Sequence, residues 1–95
     1  MATWVVYHLI QDGTSRRHIP KLVITRVPED QKVTRDLLER AGIFFEEFFG
    51  EPWADHYIEK ISDDSPSDLV GRARNPAVPR ITWEELVERA NAPVE

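Results

Sequence analysis

A chain of 95 residues, 41% hydrophobic and 31% charged, is long enough for one packed domain and too apolar to stay disordered. Its formal net charge of −5 argues against general affinity for nucleic acid, whose phosphates reward positive charge. With no cysteine, thiol catalysis, disulfide staples and cysteine-ligated zinc or iron–sulfur centres are excluded, and a reducing compartment is expected.

A single unit spanning residues 1–95 is expected to hold one hydrophobic core. Thr3 to Ile10, TWVVYHLI, is rich in β-branched and aromatic residues, and both of its alternating faces are largely apolar. That pattern predicts a strand covered on much of its surface. Asp12-Gly13 follows, a dipeptide suited to the positive φ angles of a type I′ turn. A second extended run from about Arg16 to Val27 completes a hairpin. Pro20 within it cannot donate a ladder hydrogen bond, so that part of the strand should lie at an edge or a bulge.

After Pro28 the periodicity changes. At 100° per residue, Val33, Leu37, Ala41, Phe44 and Phe48 share one arc with Leu38, Phe45 and Phe49, while Asp36, Glu39, Arg40, Glu46 and Glu47 lie opposite. This predicts one helix to about Phe49, with Gly42 tolerated inside it and Gly50 ending it. Leu37, Phe44, Phe45 and Phe48 are expected to cover the hairpin. The same test on Trp53, Ala54, Tyr57, Ile58 and Ile61 predicts a second helix, opened by Pro52 and folded back on the first as an αα-hairpin.

Ser65-Pro66-Ser67-Asp68 reads as the start of a short helix carrying Leu69, Val70 and Ala73. Residues 75–81 contain two prolines and must be extended, so 76–81 can add a short third strand. Thr82-Trp83-Glu84-Glu85 is a capping box that opens a C-terminal helix to about Ala90, with Pro93 beyond it. The fold class expected is α+β: an antiparallel β-hairpin, packed by an αα-hairpin and a C-terminal helix. The longest apolar run, around Trp4–Ile10, falls short of the roughly 20 residues of a membrane span. No basic leader or small-residue cleavage site opens the chain. No membrane contact and a cytoplasmic location are therefore expected.

Sequence motifs for chemistry are sparse. There is no G-x-S-x-G, and the four glycines, at 13, 42, 50 and 71, are too scattered to cradle a phosphate. No cofactor, resident metal or catalytic residue is expected. Three histidines, His8, His18 and His56, show no metal-ligand spacing, though His8 and His18 fall on paired strands. Asp55, His56 and Glu59 share the polar side of the predicted second helix. A metal-dependent hydrolase built on them is one reading, and a solvated helix face is the plain one.

Charge is unevenly distributed. Residues 1–27 carry four bases against one acid, and residues 28–70 carry four bases against twelve acids. Arg16, Arg17 and Lys21, joined by Arg72, Arg74 and Arg80 if the third extended segment lies beside the hairpin, make a candidate nucleic-acid surface. Sheet-edge protection explains the same residues. Glu46, Glu47, Asp55, Glu59, Asp63 and Asp64 make a candidate acidic surface for a protein partner with a basic face. Solubility alone is the competing explanation. Ile43, outside the apolar arc of the long helix, is a further candidate for partner contact or self-association. The leading expectation is a non-enzymatic protein-binding module, a regulator or inhibitor. Nucleic-acid binding and metal-dependent hydrolysis are the alternatives.

Overall fold

The computed structural model describes residues 1–48, 50 and 54–91. Its elements in chain order are β1 (Ala2–Asp12), β2 (Ser15–Val27), α1 (Arg35–Arg40), α2 (Phe45–Phe48), β3 (His56–Lys60), α3 (Ser67–Ala73), β4 (Arg80–Thr82) and α4 (Trp83–Ala90). The fold is α+β. One mixed sheet has the strand order β3-β1-β2-β4, antiparallel except where β4 runs parallel to β2. No described helix is long and apolar enough to cross a membrane.

The hairpin turns one residue later than the expected type I′ loop: Asp12 pairs with Ser15, leaving Gly13 and Thr14 as a two-residue loop in which only Gly13 has a positive φ, at 62°. The register slips between Val6 and Tyr7, so Lys21 is the extra residue of a β-bulge beside Pro20. His18, paired with Leu9, donates its N–H away from β1, to Asp68 on α3. Pro20, two residues on, shares that outward orientation, so its missing N–H removes no ladder bond.

The sheet is covered on both sides, so two apolar clusters replace the one core expected from chain length. Val6, Leu22, Ile24 and Val27 face α1 and α4 and pack with Leu37, Leu38, Ile81 and Leu86. On the other face, Val5, Tyr7 and Val23 pack with Leu69 and Ala73 of α3. Neighbours in sequence, Val5 and Val6 or Val23 and Ile24, thus feed opposite layers because strand side chains alternate. The apolar character of both faces of β1 follows from this.

The long helix expected after Pro28 is broken. Thr34 Oγ1 caps α1 by accepting the Leu37 N–H, and the helix stops at Arg40. Gly42 then takes φ 83°, its N–H donates to the Glu39 carbonyl and the Ile43 N–H to the Leu38 carbonyl. Those two bonds form a Schellman motif, in which the residue after the glycine folds back onto the helix. Ile43 is therefore 1% exposed and packs in the same cluster as Leu38. This corrects its assignment to a partner surface. Phe44 is 45% exposed rather than seated on the hairpin. The side-chain packing expected of Phe45 and Phe48 lies outside what the structure describes, and the expected helix end at Phe49 lies outside the described residues.

The second helix of the expected αα-hairpin is overturned too: residues 56–60 are the strand β3, paired with β1 from Trp4↔Lys60 to His8↔His56. The expected opening of that helix, Glu51 to Trp53, lies outside the described residues. The three later elements follow the sequence closely. α3 begins at Ser67, just after Pro66, while the expected cap Ser65 turns its Oγ to accept the Ser62 N–H. β4 supplies the short third extended segment, with Ile81 beside Ile24. Thr82 Oγ1 caps α4 by accepting the Glu85 N–H.

Candidate functional site

β3 occupies one margin of the sheet. On its inner side Leu9 donates to the Asp55 carbonyl and Ile61 to the Thr3 carbonyl, each at 2.8–2.9 Å. In an antiparallel ladder the inward bonds fall on alternate residues. Asp55, Tyr57, Glu59 and Ile61 therefore face β1 with their backbone groups, and those of Ile58 and Lys60 point away from it. Among the described residues no strand pairs with that outer edge.

The side chains of β3 explain why it forms despite a helical pattern in its sequence. Tyr57 stacks on Tyr7 at 5.7 Å between ring centroids. Glu59, a charged residue on an otherwise apolar strand face, accepts a hydrogen bond from the Tyr7 hydroxyl at 3.3 Å. On the opposite face His56, 4% exposed, stacks on His8 at 4.6 Å and donates from Nδ1 to the Ala54 carbonyl. Ile58 packs against the larger cluster. Lys60 reaches Glu29 at 2.9 Å, and Glu29 also takes the N-terminal amine at 3.3 Å. The hydrogen bonds from Lys60 and the N-terminus hold the Glu29 carboxyl below its usual range.

Burial first, and then the negative charge of Glu59, push the Tyr7 hydroxyl up from 10 to about 12. A phenol kept protonated by the fold adds stability that is complete below its unfolded-state value and is lost as pH rises through the folded one. In a 295 nm absorbance titration, Tyr7 should ionise near pH 12. The Tyr7→Phe variant should lose that late step and show a flatter fall in stability above pH 10. An unaltered titration in Tyr7→Phe would refute the assignment.

The acidic residues bracket β3 rather than sharing a helix face. Asp55, at φ 64°, precedes it, and the exposed Asp63 and Asp64 follow it. The turn carrying that second pair is fixed by the Ser62 N–H on Ser65 Oγ, the Asp64 N–H on Ser62 Oγ and the Ser65 N–H on the Ser62 carbonyl. Glu46 and Glu47 are exposed on α2. Glu59 is turned to Tyr7. Asp55, His56 and Glu59 do not converge, because alternation sends His56 and Glu59 to opposite faces. Among the described residues no group of three metal-capable side chains gathers.

The basic residues divide into two separate groups. Arg16 and Arg17 are exposed near the hairpin tip, and Arg80 sits beside Val23 with Arg72 and Arg74 on or just beyond α3. Six residue steps along the strand from Arg17 to Val23 separate them by about 20 Å. Lys21 lies in the bulge between them.

His18 and His8 also point to opposite faces, since Leu9, not His8, pairs with His18. His18 instead sits 5.3 Å from the Tyr7 ring and holds Asp68 by its ring Nδ1 at 3.1 Å and by its backbone N–H. Burial works to raise the Asp68 carboxyl, but these His18 bonds outweigh it and hold the group below its ordinary range. This clamp fastens the first turn of α3 to the outer side of β2. Nothing in the sequence linked His18 to Asp68, fifty positions apart.

A small α+β domain with a mixed sheet, whose edge strand β3 has no outer partner among the described residues and is bracketed by carboxylates, is the class this geometry defines. No protein-family model matches the chain, and no curated protein or solved structure matches it at a significant level.

Proposed function

We propose that this protein is a non-enzymatic interaction module that takes up an extended, basic segment of another protein as an added strand along β3. The observation that carries the reading is the outer edge of β3, unpaired among the described residues, where Ile58 and Lys60 present backbone donors and acceptors away from β1. Strand addition to such an edge draws its affinity from main-chain hydrogen bonds and its selectivity from flanking side chains. Here the flanks are Asp55 at one end and Asp63 and Asp64 at the other, across a strand of about 16 Å. Lysines or arginines near the ends of a bound segment would meet carboxylates. The charge of Lys60 is already engaged by Glu29, so it repels such a segment little.

The test uses two capped peptides, one alternating lysine with valine and one alternating glutamate with valine. At low salt the lysine peptide should shift the amide resonances of Ile58 and Lys60 to saturation, the glutamate peptide should not, and added salt should weaken binding. Lys60→Pro removes only an outward N–H and should reduce affinity at least about tenfold relative to Lys60→Ala, which keeps it. Equal behaviour of the two peptides, or equal affinity of the two variants, would overturn the proposal.

A further inference from the structure

The strongest unassigned feature lies on the sheet face that α3 covers. Because α3 ends at Ala73, the sheet beyond it stays uncovered, and a groove of about 300 Å³ opens there. That is the lower end of the size range for small-molecule sites. Val23 and Ile61 form its apolar floor, and Val70 and Ala73 form the wall along the helix. Arg74 and Arg80 stand on the rim, and among the described residues no acidic one lines the groove.

The two guanidinium groups are held differently. Arg80, placed by the parallel pairing of β4 with Val23, donates from Nη2 to the Ala73 and Asn75 carbonyls. Those bonds satisfy the end of α3 and fix the guanidinium plane. Of its five N–H donors, the one on Nε and the two on Nη1 are not used by them. Arg74 is exposed and makes no ion pair with any described residue. The hydroxyls of Thr3 and Thr25 complete the polar part of the lining.

We propose that this groove is a binding site for a small molecule carrying an oxyanion, carboxylate or phosphate, on a short apolar body. The oxyanion is placed between Arg74 and Arg80, where the donors of Arg80 not used on the α3 end each offer a single charge-assisted hydrogen bond and Arg74 adds a second positive charge. The apolar body lies on Val23, Ile61, Val70 and Ala73. A nucleic-acid backbone fits less well, because it has no apolar part for the floor and Arg16 and Arg17 lie at the far end of the hairpin. The site is independent of the β3 edge and does not rest on the function proposed above.

Hexanoate, hexyl phosphate, hexanol and hexylamine are the probes, titrated against the full chain with amide shifts of Thr25, Ala73 and Arg74 as the readout. Hexanoate or hexyl phosphate should bind at least about tenfold more tightly than hexanol, and hexylamine should not bind. The tighter of the two anions identifies the head group. Arg74→Glu, which changes only a side chain that pairs with no described residue, should keep a melting temperature near wild type and lose at least about tenfold in anion affinity. Hexanol binding as tightly as both anions, no probe shifting the groove residues, or Arg74→Glu retaining wild-type affinity would each overturn the assignment.

Discussion

Leu69→Ala is expected to lower the unfolding free energy by about 3 kcal/mol, read from the urea midpoint with an unchanged slope. Leu69 is fully buried, and its cluster consists of only a few residues: Val5, Tyr7, Val23 and Ala73. Removing its side chain takes away the transfer free energy of its methyl groups and leaves a cavity that a seven-residue helix closes only in part. The loss should be regional. Amide exchange across Ser67–Ala73 should accelerate more than exchange in the hairpin, because α3 is otherwise fastened by the Asp68–His18 clamp and Arg80. A loss below about 1 kcal/mol would mean that α3 does not pack on the sheet as described.

Ile24→Ala should cost more, about 4 kcal/mol, and should lower protection throughout the sheet. Ile24 is fully buried at the centre of β2, paired with Trp4 on one side and Ile81 on the other. Its cluster includes Leu38 and Leu86, so truncation loosens β1, β4, α1 and α4 together. Ile24→Val, which removes one methyl group, should cost about 1 kcal/mol. The two alanine substitutions act on opposite faces of the sheet. The double variant should therefore show the sum of the single losses to within about 0.5 kcal/mol. A larger departure would show that the two layers share one cooperative packing unit.

The parts of the fold legible in the sequence are those whose signals are local. Gly13 marks a turn, although the loop is Gly13-Thr14 rather than the Asp-Gly type I′ turn, Thr82 caps α4 with a side chain three residues from its donor, and Pro20 marks an outward-facing position. The errors lie where local patterns permit two answers. Tyr57, Ile58 and Ile61 fit a helical arc, and Glu59 spoils the strand pattern only until Tyr7, far away in sequence, supplies its hydrogen bond. The arc that joined Val33 to Phe48 cannot register a reversal at Gly42, because a helical projection has no entry for a left-handed residue. A glycine followed by an isoleucine was the available clue, since a Schellman ending places an apolar residue there.

The candidate surfaces were legible as residues but not as shapes. Asp55, Asp63 and Asp64 were correctly seen as exposed, yet their arrangement depends on β3 being a strand. Arg74 and Arg80 belong together because β4 aligns with β2, a pairing across 57 positions between Val23 and Arg80. The His18–Asp68 contact has no sequence signal, since neither residue sits in a recognisable spacing.

The parallel seam between β2 and β4 also sets an order of events during synthesis. The hairpin is complete within the first 27 residues, but Ile81 and Leu86, which seal its larger apolar face, are translated only after α1, β3 and α3. A nascent chain emerging from the ribosome must therefore carry Ile24 and Val27 unsealed until β4 and α4 arrive. Shielding by a ribosome-associated chaperone would matter most in that interval.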